Sequence, residues 1–203
     1  MPSPVGHSII GFALYRVSAR PNEPFGWRKL ALYLFAANAP DLDFIPGLLL
    51  GEPDRFHHGA SHSIAFAVLF AIVFGLLGHI MKMDSVQWSS PILFGLYLSH
   101  LGLDCLSIDT SAPYGMPLFW PVSHTYYKAA IGFLPDIRRS NSSGYFFASL
   151  FSAHNLRSVC VELLLFLPPA LLATRLRGFI ELYRFKRSAS IPETTAKTEG
   201  TRE

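Results

Sequence analysis

Residues 64–81 read IAFAVLFAIVFGLLGHIM, eighteen positions without a formal charge, and Lys82 follows. About 20 apolar residues cross the hydrocarbon core of a bilayer, so this length suffices. The segment predicts a transmembrane helix, and the rest of the chain is read around it. Three further segments are apolar but interrupted. Residues 30–50 contain Asp41 and Asp43, and residues 91–106 contain His100 and Asp104. Residues 159–174 contain Glu162 and the Pro168-Pro169 pair, where a kink or break is expected because proline removes backbone donors. A shorter apolar stretch, residues 8–19, carries Arg16. The expected fold class is all-α, a polytopic membrane bundle of about four to five helices.

Composition supports a membrane setting. Of 203 residues, 50% are hydrophobic and 15% charged. Soluble domains carry about 25% charged residues. A chain so poor in charge is not intrinsically disordered. The length predicts a single domain, residues 1–187. Residues 188–203 are rich in Thr, Glu and Lys and are expected to be a disordered tail. The net charge is +3, with the basic surplus in Arg175, Arg177, Arg184, Lys186 and Arg187, directly after an apolar segment. That placement suits a helix end at a cytoplasmic membrane surface. Nucleic-acid binding needs a basic face on a folded domain, so no nucleic-acid partner is expected. Cys105 and Cys160 lie in apolar segments and read as buried thiols. Residues 1–8 lack the basic n-region and cleavage site of a signal peptide.

The positive-inside rule gives a path. Arg28 and Lys29 precede the second apolar segment, Lys82 follows the third, and residues 175–187 follow the last. With all three groups in the cytoplasm, residues 30–50 cross outward and 64–81 return. Residues 91–106 then cross outward and 159–174 return. The stretch 107–157 is outside, and the C-terminal tail is cytoplasmic.

Ionisable residues inside apolar segments are costly and mark function by default. Here they are His7, Asp41, Asp43, His57, His58, His62, His100 and Asp104. Imidazoles and carboxylates together form the ligand set of zinc and similar divalent ions. His100 and Asp104 are four apart and share a helix face, as do His58 and His62 if helical. Pro40 breaks the helix beside Asp41 and Asp43, so both carboxylates can turn toward one ion from irregular backbone. The path above brings these stretches together in the outer half of the membrane. His79, His124 and His154 read as packing or surface histidines. Glu162 reads equally well as an extra ligand or as a buried hydrogen-bonding partner.

At these residues the chain resembles the YdjM family of LexA-regulated inner-membrane proteins, described as metal-dependent hydrolases. His7-Ser8 matches the family's N-terminal His followed by Ser or Thr. Pro40-Asp41-Leu42-Asp43 matches its Pro-Asp-x-Asp. Residues 57–63, HHGASHS, match its His-Arg-Gly-x-Ser/Thr-His-Ser, with His58 in place of Arg. Ser99-His100, Asp104, Tyr114-Gly115 and Trp120-Pro121 match its last motif. The family is distantly similar to the zinc-dependent phospholipase C and nuclease P1 group. The resemblance implies a bacterial inner-membrane location and ligands at His7, Asp41 or Asp43, His57, His62, His100 and Asp104. The His-xxx-Glu pair of that distant group has no match here, so one or two ions are expected rather than three.

The expected cofactor is a divalent metal, zinc first. The expected activity is hydrolysis of a phosphoester or lipid-like substrate by a metal-activated water. Asp41 or Asp43, whichever is not a ligand, would accept the proton. Arg55, Arg138 and Arg139 could hold a phosphate. The expected partners are membrane lipids and a small-molecule or lipid substrate. The alternative is a non-enzymatic metal-binding membrane protein in transport or envelope stress.

Overall fold

The computed structural model describes residues 1–19, 23–82, 90–110 and 112–189. Among them are seven α-helices: α1 (Pro4–Ser18), α2 (Trp27–Asn38), α3 (Phe44–Leu49), α4 (Ile64–Ile80), α5 (Ser90–Cys105), α6 (Ser143–Leu150) and α7 (Ala153–Ala189). No β-strand occurs among the described residues, only two isolated bridges. The chain is therefore all-α. One helix, Ala153–Tyr183 within α7, is long and apolar enough to cross a membrane, and α4 is a shorter apolar helix. Residues 188–189 close α7, and the rest of the expected tail, residues 190–203, lies outside the described residues.

α4 shows what its surroundings demand. Its buried residues are Ala67, Ala71 and Gly78. Val68, Leu69, Ile72, Val73, Leu76, Leu77 and Ile80 are exposed. A helix in water would bury the large residues and expose the small polar ones. Here the pattern is reversed: the large apolar residues face outward, and the small ones let helix backbones approach closely. A Cβ at Gly75 would collide with Ser90 of α5. The α1–α2 pair uses the same device, since a Cβ at Gly11 would lie 3.0 Å from the Tyr33 carbonyl oxygen. Tyr33, Ala36 and Ala37 of α2 pack with Leu93 and Leu96 of α5 in the main apolar core.

Several expectations need correction. The described residues form seven α-helices rather than four to five, and of the two thiols Cys105 is half-buried and Cys160 exposed. Residues 30–50 do not form one helix. α2 stops at Asn38, and Ala39–Asp43 form a 3-10 turn before α3 begins. Pro40 has no N–H to continue the ladder of α2. The Pro168-Pro169 pair, in contrast, does not end α7, which runs through both for 37 residues. The cost falls on the Leu164 and Leu165 carbonyls four residues back, a loss that transmembrane helices tolerate. Ala170, next in line, is buried, and α7 packs along α1.

The helix ends meet at one end of the bundle: the start of α1, the turn after α2, the start of α4 and the end of α5. Residues 107–110 and 112–141 cover that end with irregular backbone. Ile64 at the start of α4 donates its amide to the Leu118 carbonyl at 2.9 Å. Met116 and Leu134 are buried beneath this cover.

Ala67→Leu should lower the melting temperature in detergent, because overpacking a close helix contact costs about 1–3 kcal/mol. Ile72→Ala on the exposed face should change it little. Equal melting of both variants would contradict the packing assigned to α4.

Candidate metal centre

Each site residue reaches the centre for a local reason. Pro40 turns the chain after α2 and brings Asp41 and Asp43 inward. Ser63 caps α4 by accepting the Phe66 amide, which places His62 immediately before the helix start. His100 and Asp104 lie one turn apart on the buried face of α5. Ser3 caps α1 by accepting the Val5 and Gly6 amides, and His7 sits one turn on.

The cap of α1 has its own anchor. Glu162 of α7, fully buried, accepts hydrogen bonds from the Ser3 amide at 2.7 Å and from the Ser3 hydroxyl. A Cβ at Gly6 would lie 2.8 Å from that carboxylate. Glu162 is thus the buried hydrogen-bonding partner of the two readings open for it, and it holds the turn that carries His7.

At the centre, His100 Nε2 lies 3.1 Å from Asp104 Oδ2 and 3.5 Å from Asp41 Oδ1. His62 Nε2 lies 3.5 Å from Asp104 Oδ2 and 3.7 Å from Asp41 Oδ1. His7 Nε2 approaches the other Asp104 oxygen at 3.5 Å, and its ring stacks on His100 at 3.8 Å. Asp41, His62, His100 and Asp104 each offer one donor atom, and all four lie within 4.8 Å of one another. Two further groups adjoin this one, His57 with His58 and His62, and Asp41 with Asp43 and His57. All seven expected ligand residues are therefore gathered at one place. His58 joins them from a left-handed backbone conformation, with φ of 56°.

The outer nitrogens are fixed. His100 Nδ1 is 2.9 Å from the Ala37 carbonyl, so it must carry the proton and donate. His57 Nδ1 is 3.1 Å from Asp43 Oδ1. His62 Nδ1 is 3.0 Å from Asp43 Oδ2, which also accepts the Ser61 hydroxyl at 2.8 Å. Partners of this kind orient metal-binding imidazoles.

The inner atoms are left bare. Nε2 of His7, His57, His58, His62 and His100 and both oxygens of Asp41 and Asp104 are buried without hydrogen-bond partners. A buried polar atom without a partner costs about 1–3 kcal/mol. With a neutral imidazole, His100 Nε2 and the carboxylates of Asp41 and Asp104 would be acceptor facing acceptor, a conflict that calls for a positive charge between them. A divalent cation removes that conflict, and imidazole with carboxylate suits one. The residues present fit a metal ion.

The loop histidines differ in charge. Burial pushes the His57 and His58 imidazoles below the ordinary histidine value, so both are neutral at pH 7. Burial acts the same way on His62. There the carboxylates of Asp104, Asp41 and Asp43 outweigh it and raise the imidazole well above that value. Without metal, His62 keeps a proton where a cation would sit.

Residues 1–178 match the family of YdjM inner membrane proteins. The chain belongs to the YdjM family. Curated proteins give no match, and solved structures give none. The distant likeness to the phospholipase C and nuclease P1 group is not shown by these comparisons. Within this YdjM protein the remaining expected residues are dispersed. His154 Nε2 pairs with Asp136 Oδ1 at 3.0 Å, outside the donor groups. His79 and His124 are exposed. Arg138 is exposed at the surface, whereas Arg139 is held beside the site, its Nε 2.7 Å from Asp54.

Sequence reading named His58 a suspect but left it out of the ligand set, because the family motif has Arg there. The outer partner Ala37 carried no signal, since a carbonyl becomes informative only once its neighbours are placed, whereas Ser61 stands at the Ser/Thr position of the HHGASHS motif.

Asp104→Ala should abolish tight binding of a divalent ion to the detergent-purified chain, read as metal per chain. In wild type, binding should release the His62 proton and so tighten as pH rises through the neutral range. Calorimetry in buffers of different ionisation enthalpy would count that proton, and zero release would contradict the charge assigned to His62. Glu162→Ala should weaken metal binding through the loosened His7 turn, while Glu162→Gln, which keeps an acceptor for Ser3, should retain more of it.

Proposed function

We propose that this protein is a membrane-bound, metal-dependent hydrolase of phosphoesters. One observation carries the reading. Buried imidazole and carboxylate donors face one another with their inner atoms bare, beside a cavity that Asp43 and His57 line. Asp41, His62, His100 and Asp104 would hold one ion, and His57 and His58 with His62 would hold a second. Zinc is the first candidate from the donor types. A divalent ion bound there supplies Lewis acidity, which polarises a phosphoester and acidifies water.

The chain's own groups supply the rest. Asp41 has two oxygens without hydrogen bonds and is the ligand of the Asp41/Asp43 pair. Asp43 has both oxygens engaged by His57, His62 and Ser61, and it orients two imidazoles. It also lines the cavity, so it is the carboxylate placed to take a proton from the attacking water. His7 stacks on His100 and closes the inner side. Arg139 lies over the Phe44 ring at 4.8 Å, and Phe44 stacks on His57 at 4.0 Å. That stack holds a guanidinium near the cluster, where it would attract an anionic substrate.

Charge placement supports the orientation. Arg16, Arg28 and Lys82 lie at or just past helix ends away from the cluster, and Arg175 lies in the second half of α7. Under the positive-inside rule that end is cytoplasmic, the cluster faces the outer leaflet, and the chain crosses several times.

The test is turnover of methyl p-nitrophenyl phosphate, a soluble phosphodiester, by zinc-loaded protein. At saturating zinc, Asp43→Asn should lose about 10²–10⁴-fold in rate, and its zinc affinity should fall about 10–100-fold because the residue also orients His57 and His62. Wild type that binds zinc stoichiometrically but turns over no phosphoester would remove the hydrolase reading and leave a metal-binding membrane protein.

A further inference from the structure

Two concavities meet at His57, and they differ in chemistry. The larger has a volume of about 440 Å³. Pro46, Phe56, Ala60, Phe66, Pro113 and Tyr126 give it mostly apolar walls, and Asp43 and His57 stand at its edge. Ligand sites run from about 300 to 1,000 Å³, so it can admit part of a molecule of that class. The smaller, about 30 Å³, has room for little more than a water; it is lined by His57, His58, Thr110, Arg139 and the carboxylates of Asp54, Asp109 and Asp136. Asp54, His57 and Pro113 border both.

We infer that the apolar cavity seats a hydrocarbon chain of the substrate, while its anionic phospho group lies at the donor cluster, beside Arg139. The substrate class is then a phosphorylated amphiphile with a long alkyl chain. This rests on the hydrolase reading above and adds to it where each part of the molecule lies. A free phosphate or a sugar phosphate would leave the apolar walls uncovered. An uncharged lipid would leave the arginine and the donor cluster without use.

Arg139 is suited to the headgroup. Its side chain is only 11% exposed, and its Nε–H donates to Asp54, which leaves the outer N–H groups of the fork for an anion. The way in for the chain is also marked. Pro46 belongs to α3, whose Ile45 and Leu49 are 51% and 82% exposed. In a bilayer such residues sit in lipid, so an acyl chain reaches the cavity past them without crossing water.

The test is binding of tritiated hexadecylphosphonate and methylphosphonate to the zinc-loaded full chain in nanodiscs, with empty discs subtracted. Neither ligand has a scissile ester, so binding is scored separately from turnover. Hexadecylphosphonate should bind at least about tenfold more tightly than methylphosphonate and than hexadecanol. Ala60→Trp, which fills the cavity, and Tyr126→Asp, which puts a charge in it, should erase the chain-length preference with zinc content unchanged. Equal affinity for the two phosphonates in wild type would overturn the inference. So would equal affinity for hexadecanol, or a preference that survives both substitutions. Turnover of methyl p-nitrophenyl phosphate judges the hydrolase reading by itself. That turnover can succeed while the chain-binding site fails, or the reverse.

Discussion

Carboxylates facing imidazoles in a buried space organise this molecule. Asp41 and Asp104 bring carboxylate oxygens to the bare nitrogens of His62 and His100 in a buried space. Such an arrangement is stable only with a positive charge at its middle. Each surrounding element helps to impose that arrangement. The Ala37 carbonyl fixes the tautomer of His100, and Asp43 fixes the outer nitrogens of His57 and His62. The cluster is thus prepared for a cation by groups that do not themselves touch the centre. The same small-residue helix contacts that pack the bundle reach the site, since Ala37 belongs to the apolar core and its carbonyl holds His100.

The helices have a division of labour. α5 contributes two donors from regular helix, one turn apart. Asp41 and His62 come from the ends of elements, where the backbone departs from the helix ladder. Irregular backbone at membrane depth survives only where protein buries it or where it lines a cavity. Here residues 107–110 and 112–141 lie over the turns, and the donor cluster lies under them.

Much of this was legible in the sequence. His100 and Asp104 share a face by spacing alone, and Pro40 announced the irregular turn that presents Asp41 and Asp43. The gathering of His7, His57 and His62 followed from alternating helix directions. The division between Asp41 and Asp43 was not legible. It depends on which oxygens meet Ser61 and the histidine Nδ1 atoms, and that is a matter of side-chain direction. The role of Glu162 was undecidable because its partner, Ser3, is 159 residues away. Two prolines suggested a break in α7 that packing against α1 prevented. Periodicity finds neighbours within a helix, whereas these outcomes turn on contacts between helices.

The Ser3–Glu162 contact also bears on how the bundle closes. It joins positions 159 residues apart, so the turn that carries His7 takes its place only when α7 lies along α1. The four donors Asp41, His62, His100 and Asp104 do not depend on that contact directly. Docking of the longest helix therefore sets the inner wall of the cluster, while the loops and α5 set the donors themselves.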